Sequence, residues 1–462
     1  MREQGCSTLT ADEQGRILDR LAGLESIVSP GQIRQALRLA GRVNGRACKL
    51  THEVMLWVVV AMGLLTRLPI RQVFKCARRF HVCEDTPARS SLCEARQRLG
   101  VEPVRHLHAL VVRPLATPET PGAFYQGLRL MGIDGTILDV PESDANTAAF
   151  QRATGARGDG AFPQVRKVSL VELGTHVEVA LAIGGWQDSE QSLVRQLWDR
   201  IPPDALLVED RGFFSYDDWK DADSRGVKLL VRVKSNMILK PIKKLSDGSY
   251  LAKIYPSSYA RTKDRNGIVV RVIQYTLDDP QRTGHQEIHR LVTNLFDIEQ
   301  YPALELITGY HERWEAELVF DEQKTHQDPR RAEKPAHLRS ETPDGVRQEL
   351  YAVSLAHFVV RALMFEAARR TQRDVDRLSF TGCLQILQCR LPECDSRTPE
   401  SFEAWYAGLL EELGNETADP RRNRVNPRVI KRKMSKWKKK RAEHRRLPPL
   451  KKTFIESVVM TN

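Results

Sequence analysis

The sequence contains no apolar run long enough to span a lipid bilayer. The longest run extends only from Val54 to Leu65, whereas a membrane-spanning helix needs about 20 residues. The segment from Met1 to Cys6 leads into polar sequence and lacks the apolar stretch of a signal peptide. We therefore expect a cytoplasmic protein without membrane association, in which the apolar run forms a buried helix.

Cysteine motifs are also missing. The chain has eight cysteines, but no two of them form C-x-x-C and no histidine follows such a pair at zinc-finger spacing. In a cytoplasmic protein, isolated cysteines usually remain reduced and serve as small apolar side chains. We expect no structural zinc.

Acidic residues are almost absent from one stretch near the C-terminus. Between Arg421 and Lys452 there are 16 Lys or Arg residues and one acid, Glu443, whereas the whole chain has a net charge of +12. The basicity is therefore concentrated in this basic tail, and the remainder of the chain is slightly acidic. A polyanionic partner is the natural inference. A solvated charge run or a nonspecific electrostatic tether is the alternative.

The length of 462 residues predicts two to four domains, and 41% apolar with 28% charged residues suits globular domains. Helical spacing dominates the first 118 residues. Within them, Ser90 or Ser91 could cap a short helix that carries Arg96 and Arg98 near its end. Short helices with basic ends are typical of helix-turn-helix-like modules, but exposed arginines are also common in plain helical bundles. Arg96 and Arg98 are candidate DNA contacts.

From Leu128 the pattern changes to alternating strands and helices, which predicts a mixed α/β sheet. A Gly-rich segment, Gly155 to Phe162, reads as a loop. Residues 236 to about 297 are β-rich, helical spacing runs from Leu304 past Lys324, and a long apolar helix covers Gln348 to Arg369. The predicted strands are 128–140, 165–173, 176–183, 205–208 and 227–233, with helices over 189–201 and 216–224.

The helical stretch around residue 317 carries a distinctive set of side chains. Tyr310, Arg313, Glu317 and Lys324 are offset by 0, 3, 7 and 14 positions. On a continuous α-helix these positions lie within roughly 60° of one another. Glu317 could bind a metal, and the two cations could bind phosphates. Spacing alone is also explained by a solvated helix with an Arg313–Glu317 ion pair.

The spacing Y-x2-R-x3-E-x6-K resembles the signature of bacterial transposases of the insertion-sequence-four family. Two further motifs match that family in the same order. Asp134 begins an Asp-Gly-Thr on the first predicted strand, and Asp210 follows the fourth within Glu-Asp-Arg-Gly-Phe-Phe. The resemblance covers most of residues 125 to 370.

The resemblance implies a DNA transposase of the DDE type with an RNase H-like core. Asp134, Asp210 and Glu317 would hold two Mg²⁺ ions, for which Mn²⁺ can substitute. Three carboxylates can hold two divalent ions about 3.5–4 Å apart and leave open positions for water and a phosphate oxygen. Tyr310, Arg313 and Lys324 would then grip DNA phosphates near the cut.

The implied partners are double-stranded DNA, comprising the terminal inverted repeats and the target, and a second copy of the chain in a synaptic complex. The protein would associate with the nucleoid when bound to DNA. Two rivals remain: an RNase H-like nuclease that cuts without joining, and an inactive or domesticated transposase that acts as a DNA-binding regulator.

Nearby acids could compete with the two aspartates. Because strand residues alternate between faces, Asp139 is expected to point away from the face of Asp134, and Glu209 away from that of Asp210. The motif contexts select Asp134 and Asp210.

The predicted organisation has five segments: a helical DNA-binding region (1–120), a first core part (125–235), a β-rich insertion (236–300), a second core part (301–372) and a helical C-terminal region with the basic tail (373–462).

Overall fold

The computed structural model describes residues 21–43, 50–77, 86–155, 158–279, 285–327, 338–394, 398–418 and 452–461. The chain divides into two compact units. Unit 1 comprises Met1–Thr120, Asp134–Arg200 and Ala316–Ala418, and unit 2 comprises Pro121–Ile133, Ile201–Glu315 and Asp419–Asn462. Each unit combines stretches from several of the five predicted segments. The segment boundaries therefore remain a prediction.

Unit 1 is mainly helical. Its helices are α1 (Pro30–Leu39), α2 (His52–Leu64), α3 (Ile70–Ala77), α4 (Arg89–Leu99), α5 (Glu102–Val111), α6 (Asp144–Phe150), α7 (Glu190–Val194), α11 (Trp314–Asp321, which begins two residues inside unit 2), α12 (Pro343–Arg370), α13 (Phe380–Arg390) and α14 (Pro399–Asn415). Short 3-10 helices cover Arg195–Arg200, Val375–Arg377 and Leu391–Glu393. The predicted helical N-terminal region is therefore confirmed over its described residues.

Two apolar helices form the centre of unit 1. Helix α2 is the predicted buried helix, and all its residues from Val54 to Leu64 are buried. It packs closely on α12, because a Cβ built at Gly63 would lie only 2.0 Å from the backbone oxygen of Ala352. Helix α12 is long and apolar enough to cross a membrane, but 78% of its most apolar window is buried within the protein. Its environment is that of a core helix.

The strands of unit 1 are β3 (Arg152–Gly155), β4 (Gly158–Glu172), β5 (Val177–Gly184) and the second half of β2 (Leu128–Asp139). Strands β4 and β5 pair antiparallel and occur where the strands 165–173 and 176–183 were predicted. The predicted loop from Gly155 to Phe162 is wrong where the structure describes it, because β3 pairs with β4 and aligns Gly155 with Gly158. This hairpin end has no buried face, so its sequence lacks the apolar alternation that identifies strands.

Unit 2 contains a large mixed sheet. Its strands are β1 (Phe124–Tyr125), the first half of β2, β6 (Ala205–Glu209), β7 (Lys228–Arg232), β8 (Lys243–Lys244), β9 (Tyr250–Ile254), β10 (Ile268–Leu277), β11 (His289–Thr293) and β12 (Val458–Met460). Strands β2, β6 and β7 run parallel, and the later strands pair antiparallel. The sequence predicted a mixed sheet and the β-rich region, but not which strands run parallel.

The helices of unit 2 are α8 (Tyr216–Ser224), α9 (Ser258–Thr262), α10 (Ala303–His311) and α15 (Phe454–Ser457). Helix α10 follows Pro302, which offers no side-chain cap. Instead, the backbone N–H of Ala303 donates to the Asp247 carboxylate at 3.0 Å. The fully buried Arg271 holds that carboxylate in place. A residue of the β-rich region thus caps the helix that carries Tyr310.

The helical stretch from residue 304 past 324 is not one α-helix, and the predicted common face is wrong in this respect. Helix α10 ends at His311, and the chain makes a tight turn in which Arg313 N–H donates to Tyr310 C=O at 3.1 Å. Helix α11 follows, and residues Glu322–Gln327 then form a π-helical turn. Since a π-turn bonds i to i+5, the constant angle per residue assumed in the prediction does not hold.

The basic tail lies outside the described residues except for Lys452, whose ammonium group pairs with Asp278 at 2.8 Å.

Candidate active site

Asp134 lies in β2 and begins the Asp-Gly-Thr motif. Its side chain is half-buried, and its Oδ1 accepts a hydrogen bond from the N–H of Gly135 at 2.8 Å. A Cβ at Gly135 would lie 2.8 Å from the Glu190 carboxylate oxygen, so a larger residue there would displace the Glu190 side chain. The motif therefore combines an accessible carboxylate with a closely approached glycine.

Glu209 and Asp210, at the end of β6, have different environments. Glu209 is buried, and burial together with the nearby Asp218 raises its pKa to about 8, so its carboxyl group is neutral at pH 7. Asp210 is half-buried and begins a turn in which Phe213 N–H donates to its backbone oxygen at 3.0 Å. Of the two acids, Asp210 is the one suited to a cation site.

The parallel pairing of β2 with β6 sets the register of these motifs. Within unit 2 it aligns Ile133 with Glu209. Asp134 and Asp210 are the next residues along their respective chains.

Tyr310 is buried on α10 in unit 2. Its phenol O–H donates to Asp210 Oδ1 at 3.5 Å, at the outer limit of a hydrogen bond. Burial raises the pKa of Tyr310, so the phenol stays protonated at neutral pH and remains a donor. Arg313 is also buried, and its guanidinium lies 5.1 Å from the centre of the Trp314 ring. Within unit 2, the structure thus brings Tyr310 of the Y-x2-R-x3-E-x6-K motif next to Asp210 of the Glu-Asp-Arg-Gly-Phe-Phe motif.

Glu317 and Lys324 belong to unit 1. Glu317 is half-buried on α11. The Lys324 ammonium donates to Thr136 Oγ1 and approaches the carbonyl oxygen of Ile137 at 3.4 Å. Because Thr136 is the third residue of Asp-Gly-Thr, this contact brings the lysine of the Y-x2-R-x3-E-x6-K motif next to the Asp-Gly-Thr motif within unit 1.

The two N-terminal arginines differ in accessibility. The Arg96 side chain is 14% exposed, and its guanidinium donates to Gln348 at 2.8 Å and to the carbonyl oxygen of Gly345 at 2.7 Å. Arg98 is exposed and lies 3.9 Å from Glu94. Arg96 therefore stabilises α4 against α12, a position that does not support its expected DNA contact. The predicted caps Ser90 and Ser91 are wrong, because α4 begins at Arg89 after an N-cap alanine.

Sequence reasoning missed a buried polar network beneath the π-turn. Glu322 pairs with Arg361 and His357, and Gln323 bonds with Lys167 and Glu178. The sequence feature that could have predicted this network lies in β4 and β5, where the polar residues Lys167, Ser169 and Glu178 interrupt apolar strands. Buried polar groups require partners, so such interruptions predict further polar residues packed against them.

Comparison with known proteins identifies two families that match this chain. Residues 126–359 match the family described as the transposase DDE domain, and residues 18–109 match the insertion element 4 transposase N-terminal family. The chain is 30% identical over 429 residues to the transposase InsG for insertion sequence element IS4 of Escherichia coli K12, covering 90% of this chain and 93% of that protein.

Two further similarities are more distant. A putative transposase InsZ of the same bacterium is 27% identical over 192 residues, which cover 40% of this chain and 62% of that protein. A solved piggyBac transposase synaptic complex with hairpin DNA aligns over 87% of both chains, with 11% identity and a TM-score of 0.44.

The motifs and the domain match define a transposase of the DDE class, with the predicted RNase H-like core and flanking helical regions. The chain belongs to the insertion element 4 family of transposases. It is an enzyme of DNA transposition, and strand cleavage with strand transfer is the general activity of its family. The DDE class implies the use of a divalent metal, and DNA is the partner.

Proposed function

We propose that Asp134, Asp210 and Glu317 together hold two Mg²⁺ ions at the site of strand cleavage and transfer, and that Mn²⁺ can substitute. The observation that carries this proposal is the β2–β6 register, which aligns the residues directly before the two aspartates. The Lys324–Thr136 contact supports the inclusion of the Glu317 helix, since Lys324 lies seven residues beyond Glu317.

The donor set fits such ions. All three side chains are half-buried carboxylates, and oxygen ligands are those that Mg²⁺ prefers. When bound, the ions would activate the attacking water or 3′-hydroxyl and stabilise the leaving oxygen. The chain itself supplies three carboxylates: Asp134 lies on β2, Asp210 directly follows β6, and Glu317 lies on α11.

The neighbouring donors fit a DNA backbone. Tyr310 keeps its proton and can donate to a phosphate oxygen, and Arg313 and Lys324 carry positive charge. We propose that these three side chains hold the phosphates beside the cut. Arg98 stays a candidate contact in the N-terminal region, whereas Arg96 is occupied by α12.

Joining of two element ends requires that both be held at once. We infer that two copies of the chain form the synaptic complex on terminal inverted repeats and then engage target DNA. The enzyme would act in the cytoplasm, on the nucleoid when DNA is bound.

The test uses the ends of the protein's own element. With uncleaved ends and Mg²⁺ or Mn²⁺, we expect cleavage, and with precleaved ends and a target duplex, joined product. EDTA should remove both reactions. Cleavage without joining would favour a nuclease, binding without either reaction would favour a regulator, and full activity in EDTA would contradict the metal site.

A lysine segment in unit 2 offers a further DNA-contact surface. From Lys234 to Lys244 four lysines occur without an acid, and all four are exposed. Among the described residues none of them forms an ion pair. The backbone is nevertheless fixed, because Arg290 donates to the carbonyl oxygens of Ser235 at 3.2 Å and Met237 at 3.0 Å.

Replacing Lys240, Lys243 and Lys244 by Gln should lower the affinity for DNA. It should also make that affinity less dependent on salt concentration. Each lost phosphate contact lowers the slope of log K against log salt by about 0.9, so we expect a decrease of about 2 to 3 in a filter-binding titration. Lys253→Gln is the matched control, because Lys253 is already paired with Asp264 at 2.8 Å. An unchanged slope with new aggregation would assign the lysines to protection of the β8 edge instead.

A further inference from the structure

The π-helical turn Glu322–Gln327 is held by polar side-chain contacts to several parts of unit 1. Glu322 pairs with Arg361 of α12, and Lys324 contacts Thr136 of β2. Gln327 donates to the carbonyl oxygens of Gly63 at 3.0 Å and Val353 at 2.9 Å. A π-turn is rare and often occurs at functional sites. Here its conformation is fixed from several sides.

Gln323 is one of the buried residues of this turn. Its Oε1 accepts from Lys167 Nζ at 2.5 Å, and its Nε2 donates to Glu178 Oε2 at 2.9 Å. Lys167 and Glu178 also contact each other, with 2.7 Å between Nζ and Oε1. The three side chains form a closed ring in which every bond has a matching donor and acceptor.

The ring lies away from solvent. Gln323 is 4% exposed, Lys167 3% and Glu178 0%. Burial alone would raise the pKa of Glu178, but Lys167 and the hydrogen bonds outweigh it and lower that pKa to about 2. The ring therefore contains a full ion pair at neutral pH, and Gln323 cannot turn away without leaving part of that pair unsatisfied.

Lys324 is the residue directly after Gln323 and points to β2 rather than to the ring. Its ammonium reaches Thr136, two residues beyond Asp134. A shift of the turn by one residue would therefore move Lys324 away from the Asp-Gly-Thr motif. Such a shift would also pull the neighbouring Gln323 amide away from both Lys167 and Glu178.

We propose that Gln323 is a positioning residue: its amide, clamped between Lys167 and Glu178, fixes the register of the π-turn and so places the Lys324 ammonium beside the Asp134 motif. Gln323 itself touches no substrate. This inference rests on the proposed function of Lys324 in holding DNA phosphate. It adds that the buried Gln323 keeps Lys324 in position.

The test is a double-mutant cycle in the full-length protein, using cleavage of an element end in Mg²⁺. Gln323→Met keeps the side-chain volume but removes both hydrogen bonds. We expect kcat to fall by about 10- to 100-fold, as for other residues that orient a functional side chain. The KM for the DNA end should change by less than about threefold.

The second arm combines Gln323→Met with Lys324→Gln. If Gln323 acts through Lys324, the double variant should be no slower than Lys324→Gln alone. Rate losses that multiply would overturn the inference while leaving the role of Lys324 intact. A Lys324→Gln variant with the activity of the parent would overturn both.

Gln348→Met is the matched control. Gln348 is also a buried glutamine of unit 1, but its Nε2 donates to the carbonyl oxygens of Arg96 at 3.2 Å and Gly100 at 2.6 Å, and these acceptors lie in and directly after α4 rather than at the π-turn. It should lower the melting temperature comparably yet change kcat by less than about twofold. An equal loss of kcat in Gln348→Met would mean that general destabilisation explains the effect, and would overturn the inference. Should Gln323→Met not fold, Gln323→Asn supplies the same cycle, since the shorter amide cannot span both partners.

Discussion

Asp134→Asn should lower the rate of DNA cleavage at least about a thousandfold, which corresponds to about 4 kcal/mol of lost transition-state stabilisation. The substitution keeps the shape of the side chain and its hydrogen bond with Gly135, but it removes the negative charge that a divalent cation requires. Binding of the element end should change little, because the phosphate contacts that we propose come from Tyr310, Arg313 and Lys324 and not from Asp134. Single-turnover cleavage and gel-shift titration measure the two quantities separately.

Asp139→Asn is the control for this experiment. Asp139 lies on the same strand, an odd number of positions away and so on its other face, and it accepts a hydrogen bond from Gln164 at 2.9 Å. We expect cleavage within about threefold of the parent. Loss of cleavage in both variants would show that strand stability, rather than cation binding, is being measured. Parent-like cleavage by Asp134→Asn would remove Asp134 from the site.

Arg361→Met should destabilise the protein by about 3–5 kcal/mol, the usual cost of leaving one member of a buried ion pair without its partner. Arg361 is 1% exposed, and its Nε donates to Glu322 Oε2 at 3.0 Å. Burial would raise the pKa of Glu322, but Arg361 and two histidines outweigh it and hold that pKa well below its usual range. Without Arg361 this carboxylate would lose its main stabilisation.

The measurement is the shift of the thermal unfolding midpoint at neutral pH. A loss of 3–5 kcal/mol corresponds to a decrease of about 5–8 °C in a unit of about 290 residues. The double variant Glu322→Gln with Arg361→Met should recover part of the loss, because the isolated charge is gone. Arg105→Met, which breaks the exposed Arg105–Glu102 pair, should cost less than about 1 kcal/mol. If Arg361→Met and Arg105→Met lowered the unfolding midpoint equally, the buried network would contribute no more to stability than an exposed ion pair.

The sequence predicted much of the fold because period-two apolar patterns survive in buried strands. Strands β6 and β7 and the β4–β5 hairpin occur where alternation and short apolar runs placed them. The same rule failed for residues 158–162, where an exposed hairpin end has no apolar face to show.

The chemistry-bearing motifs could be read because each acid lies in a short, fixed context. The conformation of the Y-x2-R-x3-E-x6-K motif could not be predicted from the sequence, because the break after His311 and the π-turn depend on tertiary contacts. Propensity along the chain favours a continuous α-helix there, and only the partners of Glu322, Gln323 and Gln327 select another conformation. Similarly, nothing near Arg96 in the sequence reveals that residues some 250 positions later bury its guanidinium.

The central claim is that three acids, distant in the chain, share a pair of divalent cations. Anomalous X-ray diffraction from crystals of the protein grown with an element end and Mn²⁺ tests it most directly. We predict two manganese peaks, coordinated between them by the carboxylates of Asp134, Asp210 and Glu317. Manganese peaks at other residues, or a site from which any of these three carboxylates is absent, would contradict the account.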